Sequence, residues 1–125
     1  MLLHEERLAN CDVKLVKLVR AYSKDRNLIV VCGYRSLEDQ EAAYKSKHSK
    51  ARPGESKHNK KPSEAVDLAP TKDGSIDWED IDSFKKMAKE IIILAHELNI
   101  PIAWGGDFEQ FKGDYGHFEL AKEKA

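Results

Sequence analysis

Apolar residues return at three- and four-residue steps from Leu8 through Cys11, Leu15, Leu18 and Val19 to Tyr22. That spacing predicts an amphipathic helix from about residue 5 to about residue 24. The run Asn27 to Cys32 is short, apolar and β-branched, and Gly33 closes it, so it reads as a buried strand. Ser36 can cap a second helix over residues 37–47, with Asp39 as its acidic partner three positions on. Residues 48–64 carry Pro53, Gly54, Pro62 and several serines, the composition of a surface loop. Glu64 to Ala69 reads as a strand ended by Pro70, whose two-residue period turns Asp67 away from Val66 and Leu68. Ile81, Phe84, Met87, Ala88, Ile91, Ala95 and Leu98 mark one face of a long helix, with Asp77 as its expected N-cap and Asn99 and Pro101 ending it. Ile102 to Trp104 and His117 to Leu120 read as two further strands, joined through a segment containing Gly105, Gly106 and Gly113. Helices and short strands mixed in this order predict an α+β fold, a small antiparallel sheet with flanking helices.

Composition narrows the class without naming it. The 125 residues fit a single domain, 1–125, and 41% hydrophobic content with a net charge of -1 lies outside the regime of disordered chains. No apolar run approaches the ~20 residues needed to cross a bilayer, so no membrane insertion is expected. The balanced charge argues against a general nucleic-acid binder. The start, Met1 to Glu6, lacks the basic and apolar regions of a secretory signal, so a substrate outside the cytoplasm would require release by another agent. Cys11 and Cys32 form no CxxC pair, and both are expected to be reduced and buried. From Lys45 to Lys61 the charge is basic except for Glu55. A solvated loop is the ordinary reading, and attraction to an anionic partner is the functional one.

Three residues could supply a hydrolytic zinc site, which wants three N or O ligands and an open position: His58, Asp67 and His117. They fall on a loop, the adjoining strand and a distant strand, so only the fold could join them. Taken singly, each has a plain explanation: a loop histidine, a strand-edge aspartate, a strand histidine satisfied by the backbone. His4, His48 and His96 have no such context and are set aside. Trp78 and Trp104 read as core anchors or cleft walls, the core being the ordinary reading.

The words around these residues change the weighing. Ser56-Lys57-His58 is followed by Ala65-Val66-Asp67-Leu68-Ala69-Pro70 and, near the C-terminus, by Asp114-Tyr115-Gly116-His117-Phe118-Glu119-Leu120. With Gly33-Tyr34-Arg35-Ser36, Gln40, Asp77-Trp78 and Trp104-Gly105-Gly106-Asp107-Phe108, this ordered set resembles the M15 family of zinc peptidases, and within it the phage endolysins of the L-alanyl-D-glutamate peptidase type. The resemblance implies a fold like that of hedgehog and the D-alanyl-D-alanine peptidases. It implies zinc on His58, Asp67 and His117, Asp114 as general base or acid, and Arg35 holding a substrate carboxylate or oxyanion. Gln40 is implied to bind substrate and Ser56 to contact the substrate or orient His58, and Glu119 can steady a ligand histidine from the same strand face. The implied substrate is the peptidoglycan stem peptide and the implied outcome bacterial lysis. The protein would be a monomer made in the host cytoplasm and released to the wall through a holin. The alternatives are a D-alanyl-D-alanine carboxypeptidase or dipeptidase and a non-catalytic wall-binding domain. Two features depart from the common pattern. Asn59-Lys60-Lys61-Pro62-Ser63 lengthens the interval between the first histidine and the aspartate, and the catalytic carboxylate is Asp where many relatives carry Glu.

Overall fold

The computed structural model describes residues 1–46, 54, 56–107 and 114–121. Expectations placed on 47–53, 55 and 108–113, which include much of the basic 45–61 segment, His48, Phe108 and Gly113, lie outside the described residues. The elements run β1 (Leu2–Leu3), a 3₁₀ turn (Glu5–Leu8), α1 (Val13–Ser23), β2 (Leu28–Cys32), α2 (Leu37–Lys45), a second 3₁₀ turn (Lys57–Asn59), β3 (Ala65–Pro70), α3 (Ile81–Glu97), β4 (Ile102–Trp104), a third 3₁₀ turn (Gly105–Asp107) and β5 (His117–Leu120). The strands form one sheet in the order β1-β2-β3-β5-β4. It is antiparallel except where the short β1, which the sequence pattern does not reveal, pairs parallel with β2.

The predicted first helix is two elements. Its apolar steps persist because Leu8 and Cys11 enter the same core as Leu15, Leu18 and Val19, but the backbone breaks between them. Asn10 O accepts from Ser63 N and Asp12 N donates to Ser63 O, at 2.7 and 2.8 Å. The Asp12 carboxylate then caps α1 by accepting from Lys14 N. Periodicity registers which side chains are buried and not which backbone groups are diverted.

α3 likewise starts on Asp80, whose carboxylate accepts from Ser83 N, and not on Asp77. Asp77 caps the preceding turn, accepting from Glu79 N at 3.1 Å. Trp78 sits on that turn. Asn99 ends α3 in the left-handed region at φ 58°, a conformation that asparagine tolerates better than most residues.

Leu28 and Val30 of β2, Val66 and Leu68 of β3 and Phe118 of β5 share a core with Leu15 and Val19 of α1 and Phe84, Met87 and Ile91 of α3. Burying side chains of this size is worth roughly 1.5–3 kcal/mol each, which fixes the register of the strands. That register decides what the opposite face carries. Asp67 pairs with His117 across β3 and β5, so their side chains share a face. On the other side a bulge between Val30 and Cys32 brings Cys32, and not Val31, opposite Asp67.

Candidate metal and catalytic site

Cys32, Asp67 and His117 therefore lie in a row across three adjacent strands. His58 joins them from the 3₁₀ turn Lys57–Asn59, which Ser56 caps by accepting from His58 N at 3.1 Å. The turn is held near β2 because Arg35 N donates to His58 O at 2.8 Å. Gly33 lets the chains approach closely. A Cβ there would lie 2.1 Å from Arg7 O, and its carbonyl accepts from His58 Nδ1 at 2.7 Å.

The inner atoms form a triangle. His58 Nε2 lies 3.1 Å from Asp67 Oδ1, His117 Nδ1 lies 3.0 Å from the same oxygen, and the two nitrogens are 3.3 Å apart. Ligands at 2.0–2.2 Å around a tetrahedral ion are about 3.3–3.6 Å from one another, so a shift of a few tenths of an ångström fits this set to zinc. The outer ring nitrogens are both engaged. His58 Nδ1 donates to Gly33 O, and His117 Nε2 donates to Glu119 Oε1 at 2.8 Å. Those bonds select the tautomers that turn a lone pair inward, the arrangement by which metal-binding histidines are oriented. Lys57 Nζ in turn reaches Glu119 Oε2 at 3.1 Å.

Burial disfavours charge on either imidazole, yet the Asp67 carboxylate outweighs it and lifts His58 to about 10 and His117 to about 9. Burial also opposes charge on Asp67, but the two histidines hold its carboxyl far below the usual range. Both histidine shifts are upward, so the folded metal-free site binds protons more tightly than the unfolded chain. Its contribution to stability is complete below an ordinary imidazole pKa of 6.5 and is lost as pH rises through about 9 to 10. A cation competes with those protons. Zinc uptake at pH 7 is accordingly expected to release protons, and affinity to rise with pH. Titration calorimetry in buffers of different ionisation enthalpy checks this, and a heat independent of the buffer refutes it.

Asp114 sits at the mouth, half exposed, with Oδ2 3.9 Å from His117 Nδ1. Burial and the nearby Asp67 charge raise its pKa. Gly105 makes its position possible, since a Cβ at that residue would lie 2.4 Å from Asp114 O and 2.8 Å from His117 Cβ. Arg35 approaches from the side of β2, its Nη2 3.8 Å from Asp67 Oδ2.

A family model for phage L-alanyl-D-glutamate peptidases matches residues 3–122. The chain belongs to the phage L-alanyl-D-glutamate peptidase family. Similar to it is the peptidoglycan L-alanyl-D-glutamate endopeptidase CwlK of Bacillus subtilis (strain 168), 35% identical over 112 residues that cover 80% of this chain and 64% of that protein. The chain thus spans under two thirds of that relative's length. The crystal structure of the Serratia marcescens L-Ala D-Glu endopeptidase ChiX superposes with a TM-score of 0.79 at 28% identity, covering 94% of this chain and 85% of that one. A VanY D,D-pentapeptidase from a VanB-type resistance cassette, solved with Zn(II), shares the fold at TM-score 0.56 and 19% identity, over 91% of this chain and 70% of that one.

Within this family member, one residue expected to bind substrate serves another side chain. Gln40 is fully buried, and its Oε1 accepts from Arg35 Nη1 at 2.8 Å. A side chain without exposure cannot touch a ligand in the cleft, so it orients the guanidinium instead. Ser56 takes the second of its two expected roles, its hydroxyl accepting from His58 N and so fixing the turn that carries the imidazole. Cys32 also departs from expectation. It is half-buried, and its thiol, with His58 and Asp67, belongs to a group of donor atoms all within 4.8 Å of one another. Arg35 Nη2 donates to its Sγ at 3.5 Å. No periodic pattern could have placed it there, because the bulge re-aims it. Trp78 takes the cleft-wall place and not the core one: it is 60% exposed and stands on the rim of the cleft.

Proposed function

We propose that this protein is a zinc peptidase that hydrolyses the L-alanyl–D-glutamyl amide of the peptidoglycan stem peptide. The convergence of His58 Nε2, Asp67 Oδ1 and His117 Nδ1 at 3.0–3.3 Å, with both outer ring nitrogens tied to oxygen acceptors, carries the reading. Family membership and the endopeptidase names of CwlK and ChiX support the choice of bond. When held by these three side chains, zinc supplies a Lewis acid and lowers the pKa of a water to about 7.

The chain's own groups do the rest. Asp114 takes a proton from the attacking water at its carboxylate and returns it to the departing glutamyl nitrogen. Its raised pKa brings base and acid forms closer to the working pH. Arg35, held by Gln40 and Cys32, presents its guanidinium to an anionic oxygen of the substrate. Gly33 and Glu119 keep the imidazoles from rotating.

The reading extends to lysis of a bacterial host by a monomer that reaches the wall from the cytoplasm after a membrane partner of the holin kind opens the way. Among the described residues no helix is long and apolar enough to cross a membrane. The deciding experiment is mass spectrometry of purified wall digested with the zinc-loaded protein. Fragments with new C-terminal L-alanine and new N-terminal D-glutamate are expected. Release of D-alanine would instead assign a D-alanyl-D-alanine peptidase, and an undigested wall would leave a binding domain.

A further inference from the structure

Trp78 is a large apolar side chain left 60% exposed. It is nonetheless held firmly, because its ring stacks on buried Phe84 with centroids 5.8 Å apart and planes 23° from parallel. A rigid exposed aromatic beside reactive groups is suited to contact a ligand. The cavity in front of it is lined by Asp67 and Asp114 on the catalytic side and otherwise by Val31, Leu68, Tyr115 and the Trp78–Phe84 pair, with Gly116 at its edge. Arg35 is not part of that lining and meets Asp67 through Oδ2. The catalytic centre therefore has an apolar end and a cationic end.

The two sides of the scissile amide differ in the same way. On the carbonyl side lies an alanyl methyl group. On the nitrogen side lies glutamate, which has two carboxyl groups and needs only one to continue a peptide, so the other is a free carboxylate. We propose that Trp78, backed by buried Phe84, forms the subsite for the residue on the carbonyl side of the cleaved bond and receives its methyl group, while Arg35 takes the free glutamyl carboxylate. The inference rests on the peptidase reading above and adds the direction in which the substrate lies. Trp78 is then a specificity-determining residue, and the proton-transfer groups do not depend on it.

The test compares two peptides that differ only in L-alanyl or glycyl before D-glutamate, with zinc-loaded wild type, Trp78→Ala and Trp78→Phe. Wild type is expected to favour the alanyl peptide about fourfold in kcat/KM, the worth of one buried methyl group. Trp78→Ala should lose that preference and raise KM up to about tenfold with kcat unchanged, while Trp78→Phe keeps most of both. All three should bind equal zinc. Wild type that cleaves both peptides without preference overturns the subsite and leaves the peptidase intact, as does Trp78→Ala with wild-type KM and preference. Wild type that cleaves neither peptide overturns the peptidase reading and the subsite with it.

Discussion

Asp114→Asn is expected to lower kcat by about 10²- to 10⁴-fold, the usual worth of a positioned general base, while zinc content stays at that of the wild type. The amide keeps the shape of the carboxylate and removes only its ability to accept a proton. Metal binding should survive because Asp114 stands outside the 3.0–3.3 Å triangle, its nearer oxygen 3.9 Å from His117 Nδ1. The pH profile adds a second signature. A carboxyl group with a raised pKa loses its base form as pH falls through that value, so the acid limb of the wild-type kcat profile should flatten in the variant. Turnover of wall fragments together with elemental analysis of the same sample checks both parts. Activity within a few-fold of wild type would remove Asp114 from the reaction.

His117→Ala should have an effect as large as any single change. It takes away one of three inner donors, and it does so on an interior strand of the sheet; among the described residues no other strand position is a histidine. Zinc should be lost on dialysis and hydrolysis should fall to background. The comparison with Glu119→Gln gives the expectation its scale. Of the two ring nitrogens of His117, Glu119 touches the outer one, and such supporting partners are typically worth 10- to 100-fold in metal affinity. The alanine variant should therefore lose more than the glutamine variant, with the same order in competition against a chelator. Equal losses in the two would mean that Nδ1 of His117 is not a ligand atom.

Much of this architecture is legible in the amino-acid sequence. Two-residue periods place Asp67 and His117 on strand faces turned from the core, and the apolar stripe of α3 follows its three- and four-residue steps along the whole helix. Periodicity cannot reveal events that leave hydrophobic spacing unchanged. The break before α1 keeps Leu8 and Cys11 buried while diverting the backbone of Asn10 and Asp12 to Ser63. Asp77 and Asp80 are both competent caps, and sequence does not say which starts the helix. The bulge in β2 shifts the register next to Cys32, putting a thiol expected to be buried beside Asp67. Gln40 reads from its motif as a substrate contact because a motif records a requirement without recording whom the residue serves.

The strand order has one more implication, for how the protein is made. β5, the last of the five strands, is not added at an edge but lies between β3 and β4, and it carries His117. A growing chain emerging from the ribosome holds His58 and Asp67 long before it holds their third companion. The three inner donors can therefore meet only after that late insertion.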